Sequence, residues 1–199
     1  FTAGASAGGP YVVSASSGAV VGTAAITVTS PGWYLWYKLD ESSGTTCADA
    51  SGNGNVGTTN GSPTWQPAGR IDGGLTLDGT NDFIYSTSPC TNPNNFTLSM
   101  WIKTTTSSGG KLIHLGNSRT GASTTYDRQI WMANDGKLYA NVCPSTGYTI
   151  NTTTSYNDGN WHHVAMTLSS AGMKLYVDGT LKASNASATS GYNFTGYWR

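Results

Sequence analysis

Charge is the scarcest property of this chain: 199 residues carry 10 Lys plus Arg and 10 Asp plus Glu, so the net charge is zero. A neutral surface offers no broad field to nucleic acid or anionic membrane, whose recognition rests on clustered cations. Glutamate is scarcer still, with Glu41 alone. Glycoside hydrolysis on a sandwich needs two carboxylates facing one cleft. Glu41 adjoins Asp40, and neighbouring strand positions point to opposite faces. The aspartates sit mostly in turns (Asp78-Gly79, Asp135-Gly136, Asp158-Gly159, Asp178-Gly179), where Asp bonds its own backbone and tolerates left-handed geometry. No Gly-x-Ser-x-Gly nucleophile motif occurs. The histidines are few: His114 in a strand, and His162-His163, which strand alternation splits between two faces. The expectation is a protein that is not an enzyme.

Long apolar runs are also missing, and none approaches the roughly 18 residues a membrane helix needs. There is no initiator Met and no basic-then-apolar leader, so the chain reads as a processed product or a piece of something longer. Cys47, Cys90 and Cys143 show no Cys-x-x-Cys spacing, which argues against zinc. In an oxidising compartment they allow one disulfide, with Cys47–Cys90 favoured because both flank one expected hairpin. Three reduced, partly buried thiols are the alternative.

What is present is a strand-and-turn rhythm rich in Gly (26), Tyr (11) and Trp (7). Trp161-His-His-Val-Ala-Met-Thr-Leu168 places His162, Val164, Met166 and Leu168 on one face and His163, Ala165 and Thr167 on the other. Lys174-Leu-Tyr-Val-Asp-Gly-Thr-Leu-Lys-Ala183 predicts a hairpin about Asp178-Gly179. Phe96–Lys103 alternates, with Phe96, Leu98, Met100 and Ile102 facing one way. Further strands are expected at Trp33–Leu39, Leu75–Leu77, Asp82–Tyr85, Lys111–Leu115, Gln129–Met132 and Lys137–Val142. The third and second of these should form a hairpin through Asp78-Gly-Thr-Asn81. No window carries a helical apolar period, so the fold class is all-β, an antiparallel β-sandwich.

Residues 1–30 stand apart. Pro10 to Thr29 holds no charge and predicts two strands, Tyr11–Ala15 and Gly22–Thr29. Phe1-Thr-Ala-Gly, Gly9-Pro-Tyr-Val-Val-Ser-Ala and Thr23-Ala-Ala-Ile-Thr-Val-Thr resemble the closing strands of a bacterial immunoglobulin-like repeat. A plain N-terminal β extension is the alternative. Ser30-Pro31-Gly32 is the expected linker, which gives segments 1–30 and 31–199.

From Trp36 onward the motifs resemble, in order, a laminin-G-like (concanavalin A-like) jelly-roll domain. They are Trp36-Tyr-Lys-Leu-Asp-Glu41, Asp49-Ala-Ser-Gly-Asn-Gly-Asn-Val-Gly57, Gly74-Leu-Thr-Leu-Asp-Gly-Thr-Asn-Asp-Phe-Ile84, Phe96–Lys103 and Trp161–Val177. The resemblance implies one more strand after Gly196-Tyr-Trp-Arg199, so a sheet edge should be incomplete and open to self-association. It also implies a structural Ca2+. Asp49, Asn53 and Asn55 supply hard oxygen donors on a glycine-rich loop, with Asp78 and Asp82 as further candidates.

Sugar recognition uses aromatic platforms beside planar polar groups. Trp65, Tyr126, Arg128, Trp131 and Tyr148 are the candidate ligand-binding residues, whereas Trp36, Trp101 and Trp161 are expected in the core. The resemblance thus implies a non-catalytic adhesion or glycan-binding module of a bacterial extracellular or cell-surface protein. The rival is a structural repeat of a surface layer, pilus or filament, completed by a strand from a partner. An accessory domain appended to a glycosidase is a third possibility.

Overall fold

The structure is a computed structural model that describes residues 8–17 and 20–28 as strands and residues 33–199 in full. Strands are numbered β1 to β17 in chain order, and no helix occurs among the described residues. β1 (Gly8–Ser17) and β2 (Val20–Val28) pair antiparallel, as the two expected strands should. The immunoglobulin-like resemblance draws also on residues 1–4 and 29, which lie outside the described residues, as does the expected linker Ser30-Pro31-Gly32.

Two antiparallel sheets enclose the core. One runs β13 (Tyr148–Ser155), β12 (Lys137–Val142), β11 (Tyr126–Met132), β10 (Gly110–Gly116), β17 (Thr195–Trp198), β8 (Cys90–Thr91). The other runs β16 (Thr180–Asn185), β15 (Gly172–Val177), β14 (His162–Ser169), β9 (Phe96–Ile102). Period-2 alternation explains which side chains meet between them. Ile130, Met132, Leu138, Ala140, Val142 and Ile150 come from the first sheet, and Leu98, Val164, Met166, Leu168, Leu175 and Val177 from the second. Each buried aliphatic side chain of this size stabilises by about 1.5–3 kcal/mol.

The turns form where their chemistry predicts. Asp178 and Gly179 take φ of 52° and 75° between Val177 and its partner Thr180, the left-handed pair that a two-residue hairpin requires. Gly136, at φ 79°, closes the β11–β12 hairpin.

Several local expectations are corrected. Trp33–Leu39 forms no strand and contributes only a bridge from Tyr37 to Asp49. The hairpin through Asp78 does not form. β6 (Gly74–Thr76) pairs with β5 (Thr64–Gln66), while β7 (Phe83–Ser86) joins β4 (Gly57–Asn60) and β3 (Thr46–Cys47). With that hairpin gone, the reason for a Cys47–Cys90 bond goes too. Cys47 pairs by its backbone with Gly57 and Cys90 with Gly196 in a different sheet, and all three thiols are free. Burial drives the Cys47 thiol up to about 12, with Glu41 adding to the shift. Trp36 and Trp101 are not core either, being 43% and 38% exposed. Trp101 occupies the outward parity of the strand whose Leu98 points in, beside His163 and under the Arg70 guanidinium. The last stretch, Thr195–Trp198, is β17 and lies between β10 and β8.

Candidate functional site

The outer face of the larger sheet is where sequence and structure converge. On β11 the core takes Ile130 and Met132, so Gln129 and Trp131 stand on the opposite side. On β12 the same parity turns Tyr139 and Asn141 outward. Register then fixes the neighbours: Lys111 lies opposite Trp131, which lies opposite Tyr139, and Gln129 lies opposite Asn141. Trp131 and Tyr139 stack at 5.1 Å with 18° between their planes. Gln129 donates to Asn141 Oδ1 at 3.4 Å, and Asn141 donates to Tyr148 O and Thr149 Oγ1 at 3.0 Å each.

Tyr139 covers one face of the Trp131 indole. The side toward β10 opens into a cleft of about 320 Å3 lined by Gly110, Lys111, Tyr126, Gln129 and Trp131. Lys111 Nζ sits 3.5 Å from the Tyr126 ring centroid, and His114 meets Tyr126 edge-on at 6.3 Å. Burial pushes His114 down to about 4, with Lys111 and Arg199 adding to the shift, so its imidazole is neutral at pH 7.

Of the five expected ligand-binding residues, Tyr126 and Trp131 come together here. Trp65 does not join them: it lies on the small β5–β6 hairpin and donates its indole N–H to Gly44 O at 2.9 Å. Tyr148 shares parity with Ile150 and packs against the core. Arg128 is a clear correction. Its side chain is 0% exposed and donates to Pro93 O, Tyr192 O, Asn92 Oδ1, Asn94 Oδ1 and Asp127 Oδ2. Its backbone takes φ 50°, which breaks the alternation and leaves Asp127 and Arg128 both buried. Lys111, Gln129, Tyr139 and Asn141 escaped the sequence reading. Parity in Lys137–Val142 already placed Tyr139 and Asn141 outward, whereas Lys111 needed the β10–β11 register.

The calcium ligands do not assemble as one set. Asp49 Oδ1 accepts from the amides of Trp36 and Ser51, and Oδ2 accepts from the Ser51 hydroxyl and the Asn55 amide. Both oxygens thus accept twice, from Ser51 and Asn55 of its own loop and from Trp36 thirteen residues before it. Asn53 and Asn55 give their side-chain N–H groups to Trp33 O and Tyr34 O. Asp78 and Asp82 lie together in a separate cleft of about 210 Å3 with Gly61, Ser62, Thr64, Thr76 and Asn81. There Asp78 Oδ1 accepts from the Thr80 amide at 2.8 Å, and Asp82 Oδ1 from the Ser62 amide at 2.8 Å. Among the described residues, no three His, Cys, Asp or Glu side chains converge on a metal position.

The histidine pair divides as alternation predicts. His162 bridges two turns, 2.8 Å from Asp178 Oδ2 and 3.1 Å from Asp158 Oδ1. Burial opposes its charge, but hydrogen bonds to Asp178 and Asp158 outweigh burial and raise it above the ordinary histidine value. A raised value means stability that is full below about pH 6.5 and fades as pH climbs through the folded value. Neutral imidazole has one N–H and can serve only one of the two carboxylates. His162→Ala should therefore lower Tm by about 2–4 °C at pH 5.5, a modest figure because both carboxylates are half exposed. At pH 8.5 the loss should be smaller. Equal losses at the two pH values in paired melts would refute the linkage.

A family model for the concanavalin A-like lectin/glucanases superfamily matches residues 78–198. Among solved structures, domain 4 of an extracellular arabinanase from Geobacillus stearothermophilus, in complex with arabinotriose, is similar at 18% identity. Its TM-score is 0.52 over 76% of this chain and 84% of that one. A fragment of an S-layer domain-containing protein from Clostridium thermocellum shows 24% identity and a TM-score of 0.49, over 78% and 73%. A carbohydrate-binding module from Bacillus subtilis shows 15% identity and a TM-score of 0.44, over 71% and 84%. No curated protein sequence matches the chain. These structural likenesses are likenesses of fold.

Proposed function

This chain belongs to the concanavalin A-like lectin/glucanases superfamily, and from that footing we propose that it is a non-catalytic glycan-binding module acting outside the cell or at its surface. In this reading residues 31–199 are the binding unit, and residues 1–30 end a preceding immunoglobulin-like repeat. The carrying observation is the Trp131–Tyr139 stack on an open sheet face, with the Gln129 and Asn141 amides beside it. An indole held flat by a partner ring offers a rigid apolar plane for one face of a sugar ring. Adjacent amides suit the hydroxyl edge. No carboxylate lines the cleft among the described residues, which favours binding over hydrolysis. The alternative, a structural repeat of a surface layer, pilus or filament, rests on the further strand expected after Gly196–Arg199 and on the β1–β2 pair that forms a two-stranded sheet by itself.

The test is a polysaccharide panel in affinity gels, followed by calorimetry on the best ligand. Trp131→Ala should lose roughly 2 kcal/mol of affinity, about thirtyfold, as expected of a central aromatic anchor. Its melting temperature should stay near that of the parent, and chromatography should detect no cleavage products. A Trp131→Ala variant that binds as tightly as the parent would remove Trp131 from the site.

A further inference from the structure

The cleft beside Trp131 carries a charge pattern that the neutral total conceals. Lys111 lines the cleft, and its ammonium lies over the Tyr126 ring. Arg199 adjoins the same strand, β10. Its backbone exchanges both hydrogen bonds with His114, its guanidinium lies 4.2 Å from the Phe83 ring centroid, and one Nη donates to Gly121 O. Arg119 lies on the same β10–β11 loop as Gly121, over the Tyr197 ring. Among the described residues none of these three cations forms an ion pair, although Arg128, Lys137 and His162 all do. The carboxylate nearest in sequence to Lys111 and Arg119, Asp127, is fully buried and already engaged by Arg128, the Cys143 amide and the Tyr192 amide. Burial, and then the Arg199 charge, hold Lys111 below the ordinary lysine range, and no acidic group opposes them.

A solvent-facing cation held over an aromatic ring, with no carboxylate paired to it, favours an anion supplied from outside. The aromatic and amide groups around it set what carries that anion. We propose that this cleft takes an acidic sugar: Trp131 and Gln129 hold the ring while Lys111, backed by Arg199, receives its anionic group. The inference rests on the glycan-binding reading and adds the ligand class to it. A uronate carboxylate and a sulfate ester share the relevant chemistry.

Polygalacturonate, alginate and hyaluronan, each beside its carboxyl-reduced form, and a sulfated galactan beside its desulfated form test the assignment by calorimetry. At least one acidic member should bind tenfold or more tightly than its neutral partner, and added salt should erode that margin. The pair that shows the margin identifies carboxylate or sulfate. Lys111→Gln should weaken the acidic member at least tenfold more than its neutral partner and so abolish the margin, and Lys111→Arg should keep most of it. Equal binding of acidic and neutral members in every pair, or an undiminished margin in Lys111→Gln, overturns the inference while the glycan-binding reading stands. Failure of the parent protein to bind any member overturns both.

Discussion

Asp127→Ala should unfold this protein roughly 10 °C or more below the parent, because removing one partner of a fully buried ion pair costs about 3–5 kcal/mol. Both side chains are 0% exposed, so no water reaches the guanidinium left behind. The loss extends beyond one pair. Asp127 also accepts the Cys143 amide at 2.8 Å and the Tyr192 amide, while Arg128 gathers Pro93 O, Asn92 Oδ1, Asn94 Oδ1 and Tyr192 O. One cluster thereby ties the loop before β9, the start of β11 and the segment leading into β17. Gly191 passes so close that an added Cβ would lie 2.5 Å from Asp127 Oδ2 and 2.6 Å from Arg128 Cζ. Arg128 holds a left-handed backbone at φ 50°, a conformation that costs a non-glycine residue on the order of 1 kcal/mol. The surrounding bonds offset that strain. A thermal melt of Asp127→Ala within about 2 °C of the parent would show that the cluster contributes little to stability.

The second large effect is expected at Trp198. Trp198→Ala should cost about 3–5 kcal/mol, the usual range for deleting a buried indole. Trp198 is 7% exposed and packs against Phe96 with ring centroids 6.0 Å apart. Its amide donates to the buried Ser86 hydroxyl at 3.0 Å, and its strand partner is Leu115. Because β17 joins β8 to β10, loosening it opens the sheet at an interior seam. Limited proteolysis should accordingly cut the variant between Asn185 and Thr195 well before the parent. A variant that melts like the parent and resists the protease equally would mean that β17 adds little to the sheet.

Both effects lie where reading along the chain is weakest. The strands of the core were legible because their alternation is local: Leu98 with Met100, Val164 with Met166, Leu175 with Val177. Asp178-Gly179 was legible because a two-residue hairpin needs left-handed backbone at both positions, and this pair adopts it at low cost. Trp131 and Tyr126 were legible as aromatics near turns. Arg128 was misread because alternation assumes regular strand geometry, and its positive φ breaks that rule at one residue. Tyr148 was misplaced for want of its parity with Ile150. Trp36 and Trp101 are expected in the core because each falls within an expected strand, but Trp36 lies in no strand and Trp101 has the outward parity of β9.

Period and turn chemistry, both local, settle that this chain is an antiparallel sandwich and which face of most strands is buried. Which strands become neighbours is decided only in three dimensions, by burial across both sheets. That packing sends β6 to β5 instead of β7, and seats β17 between β8 and β10. It also sets Arg199, just past β17, against His114 of the strand that carries Lys111 into the aromatic cleft. A composition summing to zero charge cannot show that pairing, because the cations meet through sheet register while their balancing acids are held in turns and in a buried pair elsewhere.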